Sequence, residues 1–123
     1  MANSFHSARI LFLGEQDGPV ERQLKSKLIE IFHRFPAVKA ASLLRISTIE
    51  VPGINVAVAI TGGDKEAHAL VPLIGDAFAS LFHASEHLDI LFPNPAQTAE
   101  IAKIAGNFYT VDTPLKLETK KQP

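Results

Sequence analysis

The stretch that decides the fold runs from residue 38 to residue 61. It reads Val38-Lys-Ala-Ala-Ser-Leu-Leu-Arg-Ile-Ser-Thr-Ile-Glu50, then Val51-Pro52-Gly53, then Ile54-Asn-Val-Ala-Val-Ala-Ile-Thr61. In the first half Val38, Ala40, Leu44 and Ile46 face one way, with Lys39, Arg45 and Ser47 among those facing the other. In the second half Ile54, Val56, Val58 and Ile60 alternate with Asn55, Ala57, Ala59 and Thr61. A period of two marks a strand, because successive side chains project to opposite sides of a sheet. With a Pro-Gly turn between them, the two halves predict an antiparallel hairpin.

Working outward toward the N-terminus, Pro36 closes a helical pattern. Val20, Leu24, Leu28, Ile31, Phe32 and Phe35 recur at helical spacing behind Pro19, which suits a first helical position because no amide is needed there. Before that helix, Arg9-Ile-Leu-Phe-Leu13 is apolar at every position after Arg9 and is closed by Gly14, Asp17 and Gly18. A strand apolar on both faces predicts a central place in a sheet.

Toward the C-terminus, Gly62-Gly63 ends the hairpin, and Asp64 is the expected N-cap of a second helix. Its apolar stripe is Ala67, Leu70, Val71, Ile74, Phe78, Leu81 and Phe82, with a kink or restart expected at Pro72 and close packing of a neighbour at Gly75. Leu88 to Phe92 reads as a fourth strand, Pro93 to Pro95 as a turn, Ala96 to Ala105 as a short helix, and the tail from Thr113 to Pro123 as frayed. The chain of 123 residues thus reads as one α+β domain with its core over about residues 8–110. Its order, β-α-β-β-α-β plus a short C-terminal helix, predicts a ferredoxin-like split βαβ sandwich, an antiparallel sheet with helices on one face.

That architecture leaves the second face of the sheet to be accounted for. With Ile10, Phe12, Leu44, Ile46, Val56, Val58, Ile90 and Phe92 toward the helices, the opposite face carries Leu11, Leu13, Ala41, Leu43, Ala57, Ala59 and Leu91. An apolar second face implies a cover, since large contiguous apolar patches are uncommon on soluble monomers. Three covers are open: the chain's own C-terminal segment through Ile101, Ile104, Phe108 and Tyr109, a homodimeric or protein partner, and a small ligand. The small side chains of Ala41, Ala57 and Ala59 suit close packing.

Composition narrows the function classes. Twelve Lys and Arg against thirteen Asp and Glu leave a net charge of −1, which lacks the basic footprint of a nucleic-acid or anionic-membrane binder. No apolar run reaches the length of a membrane span, and residues 1–9 carry no hydrophobic signal core, so a soluble, cytoplasmic protein is expected. The absence of cysteine removes disulfides, thiol nucleophiles and thiolate metal sites. His83-Ala-Ser-Glu86-His87 matches the inverted zinc-protease pattern, yet it falls where the second helix must end, so a solvated helix end is expected instead of a metal centre. Gly62-Gly63-Asp64 lacks the Lys and Ser/Thr of a phosphate loop and reads as turn plus cap. His6, His33 and His68 are isolated, the serines have no nucleophile-elbow setting, and the acidic residues are scattered. No cofactor, no metal and no catalytic constellation are expected.

Ala8-Arg-Ile-Leu-Phe-Leu-Gly14, the helix Leu24 to Phe35, Pro36-Ala-Val-Lys-Ala-Ala-Ser-Leu-Leu44 and the ending Asn107-Phe108-Tyr109 resemble the C-terminal domain of the bacterial enhanced serine sensitivity protein family. Ser42 stands where that pattern has an aromatic residue, Asn107 where it has Pro, and the family's companion N-terminal domain is absent. The resemblance implies a small cytoplasmic α+β domain with no catalytic residues to carry over. Together these readings predict a non-enzymatic protein-interaction module that self-associates through the apolar far face. The alternative is a small-molecule, amino-acid-binding regulatory domain.

Overall fold

The computed structural model describes residues 10–48, 53–83 and 86–114. Within them β1 (Ile10–Glu15) leads to α1 (Pro19–Phe32), and β2 (Ala40–Thr48) to β3 (Asn55–Thr61). A single 3-10 turn (Asp64–Glu66) opens α2 (Ala67–Ala79), followed by β4 (Leu88–Leu91), α3 (Pro95–Ala102) and β5 (Tyr109–Thr110). The fold is α+β, with a mixed five-stranded sheet and three helices among the described residues. His6, Arg9, residues 49–52 and the tail beyond Pro114, all included in the readings above, lie outside those residues.

The strand order is β1-β2-β3-β4, with β5 also beside β2. The hairpin is present as expected: β2 and β3 are antiparallel, from Ala40 opposite Thr61 to Ile46 opposite Asn55. The ferredoxin-like arrangement is not what forms. A split βαβ unit would insert a strand between β1 and β2, whereas these two are direct antiparallel neighbours. β3 and β4 are parallel neighbours, because the chain between them crosses over through α2 instead of turning back.

Local chemistry sets the ends of the elements. Helix α1 stops at Phe32, and the amides of Arg34, Phe35 and Val38 bond to carbonyls three residues back. Pro36 disfavours a helical Phe35, so the last residue of the apolar stripe falls in this turn. Gly63, and not Asp64, is the N-cap of the 3-10 turn. Gly62 and Gly63 both take left-handed φ values, 83° and 80°, and a Cβ on Gly62 would strike the Ala37 carbonyl oxygen. Helix α2 continues through Pro72 without a restart, and Gly75 faces open space, not a packed neighbour. At α3, Asn94 and Gln97 form a reciprocal capping box, with bonds of 2.8 and 3.0 Å, ahead of Pro95 at the first helical position.

Two cores result. On one face α1 and α2 bury Leu24, Leu28, Ile31, Phe32, Leu70 and Ile74 against Ala41, Leu43, Val58 and Ile60. On the other, α3 brings Ile101, with Ile104 and Ala105 just beyond it, over Leu44, Ile46, Ala57 and Ala59, joined by Ile10, Phe12 and Leu91. The expectation of helices on one face only is therefore corrected: the chain covers the second face itself.

Past α3 the chain crosses the edge of β2. The Phe108 amide donates to the Ala41 carbonyl at 2.9 Å, and Tyr109 pairs with Ala41 and enters the two-helix core, its ring 5.2 Å from that of Phe32. Thus Ile101 and Ile104 cover the far face as one reading allowed, while Phe108 and Tyr109 return to the opposite core. Burial pushes the Tyr109 phenol above its ordinary value of 10.0. The neutral phenol's contribution is complete below that value. As the pH rises past it the unfolded chain ionises first, so stability falls until the folded phenol also titrates. Because Tyr109 is the only tyrosine, ultraviolet absorbance titration reads it directly. The expected result is a midpoint above 10.0, with a melting temperature that declines over the same range; a midpoint at or below 10.0 in the folded protein would contradict this.

Candidate functional site

The seven residues read as an interface or ligand face do not share one face. Antiparallel partners lie on the same side of a sheet, so Leu43 opposite Val58, and Ala41 opposite Ile60, belong under α1 and α2. Leu44 opposite Ala57, and Phe12 opposite Ile46, belong under α3. The assignment is therefore exchanged in β1 and β2 and holds in β3 and β4. Ala57, Ala59 and Leu91 are on the far face; Ala41 and Leu43 are in the two-helix core. Leu11 and Leu13 lie in neither core.

These last two define the first candidate surface. β1 has β2 on one side and pairs with no strand on its other side among the described residues. Leu11 is 63% exposed and Leu13 42% exposed. Leu13 is the extra residue of a bulge, since the register steps from Phe12 opposite Ile46 to Gly14 opposite Arg45. Beyond the bulge the strand end is held by charge: Lys25 Nζ lies 3.5 Å from Glu15 and 3.4 Å from Asp17, and it sits 5.9 Å from the centre of the Phe108 ring. The Arg22 guanidinium bonds the Asp17 carboxylate at 3.1 Å, and with the Gly18 amide it holds that carboxyl below its ordinary range. The other Glu15 oxygen accepts from the Gly106 amide at 3.3 Å, tying β1 to the segment after α3.

The second candidate is a cavity of about 290 Å³ on the far face, between α3 and the hairpin. Its floor is Ala40, Ser42, Ala59 and Thr61, which lie in the two opposed pairs Ala40–Thr61 and Ser42–Ala59. Its roof comes from α3 and the residues after it, including Thr98, Ala102 and Ala105. The gap exists because small side chains face small side chains there, whereas Ile10 and Phe12 fill the neighbouring layer around Leu44 and Ile46. Ser42, 4% exposed, donates its hydroxyl to Asn107 Oδ1 at 2.9 Å. An amide oxygen does not take up the proton, so this serine is not an activated nucleophile. Sequence reasoning missed Ser42, Thr61, Thr98 and Asn107; the only signal, Ala40-x-Ser42 facing Ala59-x-Thr61, becomes legible once the register is known.

The remaining motifs separate. His83 follows the end of α2, and Glu86 and His87 lie in the segment before β4, so the two imidazoles do not sit one turn apart on a helix. His87 Nε2 is 2.7 Å from Asp89 Oδ1 instead. Among the described residues no group of three or more His, Asp and Glu is placed to hold a metal ion, and no helix is long and apolar enough to cross a membrane. Comparison with protein-family models, with curated proteins and with solved structures finds no match to this chain.

Proposed function

We propose that the domain is a non-enzymatic protein-interaction module that pairs with a second copy of itself along the open edge of β1. The observation that carries this reading is a conflict between sequence and position. Ile10-Leu-Phe-Leu13 has the composition of an interior strand, yet among the described residues it occupies an edge, with Leu11 and Leu13 exposed. Edge strands are ordinarily blunted by charged side chains, Pro or bulges; β1 carries charge only at its last residue, Glu15, and one bulge at Leu13, and residues 10–12 carry neither.

A second copy is the occupant that fits. An antiparallel strand pair is the same read from either strand, so a two-fold axis at Phe12 sets Leu11 of one copy beside Leu13 of the other. The two Glu15 side chains fall at opposite ends of such a joint, each already bonded within its own chain. A net charge of −1 gives two copies little mutual repulsion. Self-association is thereby moved from the far face, which α3 occupies, to the edge. The resemblance to the enhanced serine sensitivity C-terminal domains, with the bacterial cytoplasmic setting it implies, belongs to the same proposal.

The test is sedimentation velocity across a concentration series on the wild type and on Leu11→Lys/Leu13→Lys. The wild type is expected to dimerise as concentration rises. The double variant is expected to stay monomeric with an unchanged circular dichroism spectrum, because neither side chain is part of a core. A wild type that remains monomeric throughout, or a dimer indifferent to both lysines, would overturn the proposal.

A further inference from the structure

We infer that the far-face cavity beneath α3 is a binding site for a small, neutral, polyhydroxylated molecule. At about 290 Å³ it is close to the lower end of small-ligand sites, roughly 300 Å³, and far larger than the ~30 Å³ share of one water. Among the described residues its lining contains no ionisable side chain. An ion or zwitterion entering it would lose hydration without meeting a counter-charge, so the site selects against both. That disfavours an amino acid, the ligand first expected for a regulatory domain of this kind.

The hydroxyl inventory specifies the ligand further. Ser42 donates its hydroxyl hydrogen bond to Asn107 Oδ1, and Thr98 Oγ1 donates its own to the Asn94 carbonyl, each at 2.9 Å. Both oxygens therefore face a ligand as acceptors only. Asn107 keeps its amide hydrogens as donors, and Thr61 adds a hydroxyl of either sense. A ligand rich in donors that also accepts matches this set, and a polyol or small sugar has that character. The apolar walls, Ala59, Ile101 and Ala105, fit the carbon skeleton between hydroxyls.

The experiment follows amide chemical shifts of the isotope-labelled protein during addition of erythritol, xylitol or glucose, with serine and acetate as charged comparisons. At least one polyol is expected to move the amides of Ser42, Thr61, Thr98 and Asn107 saturably. Ala102→Leu, which places a larger side chain on an exposed wall, is expected to abolish the effect. Thr61→Val, which removes one hydroxyl at constant shape, is expected to weaken binding about threefold to tenfold. Absence of saturable shifts with all three polyols, tighter binding of serine or acetate, or polyol shifts unchanged in both variants would each overturn the inference. Dimerisation plays no part in the readout, so this result stands apart from the proposal for β1.

Discussion

Ala57→Asp is expected to unfold the domain and not merely to change its oligomeric state. Ala57 is 0% exposed and shares a cluster with Leu44, Ile46 and Ile101, all apolar. An ionised carboxylate in that layer would have no cation among these neighbours, and leaving a buried charge unpaired costs several kcal/mol. Domains of this size hold only about 5–15 kcal/mol in total. The same substitution separates two accounts of the sheet. Were the far face an interface between copies, the variant would be a folded monomer. Because α3 covers that face within one chain, the expected result is loss of the far-ultraviolet dichroism and collapse of amide dispersion. A well-dispersed monomeric variant would contradict the placement of α3.

The second large effect is expected at Phe32, where one ring joins α1 to the Phe108–Tyr109 segment. It closes the apolar face of α1, it is fully buried, and its centroid lies 5.2 Å from that of Tyr109 and 6.2 Å from that of Phe108. Truncation to alanine removes the transfer energy of the ring and leaves a cavity, together roughly 3–5 kcal/mol. Loss of the aromatic pairs falls within that figure and also loosens β5, which meets β2 only at Ala40 and Ala41. The expected measurement is a large drop in denaturant midpoint for Phe32→Ala, accompanied by a lower titration midpoint for Tyr109 as water reaches its phenol. A loss under about 1 kcal/mol would be a surface-like response and would contradict this packing.

How much of this was legible in the chain depended on whether side-chain size alternated. In β3 large Val56, Val58 and Ile60 alternate with small Ala57 and Ala59, so both the strand and its inward face could be read directly. In β2 Leu43 and Leu44 stand side by side, and in β1 residues 10–13 are all apolar; such strands are recognisable but carry no phase. Only the pairings Leu43–Val58 and Phe12–Ile46 settle which side each residue takes, and register is a property of two strands, not one. For the same reason the cavity was invisible: Ser42 and Ala59 mean little until they are opposite each other.

Topology was hidden for a different reason. The element order was readable, yet the same order serves several sheets, and the position of β1 beside β2 depends on the path of α1. Its apolar stripe gave the helix, and its C-terminal Phe32 packs beside Tyr109 near the entry to β2. The cover on the far face could be foreseen as a need. Its source lies in the Pro93-Asn94-Pro95 turn and the Asn94–Gln97 capping box, which start α3 where Ile101 can reach Leu44 and Ile46.

The proposed contact between copies at β1, with the chain's own α3 on the far face, is read by nuclear Overhauser spectroscopy on a mixture of leucine- and alanine-methyl-labelled and unlabelled protein. Cross-copy contacts are expected at the methyl groups of Leu11 and Leu13, and nowhere at Ala57 or Ala59. Cross-copy contacts at Ala57 and Ala59, or none at either leucine under conditions where dimer is present, would contradict the account.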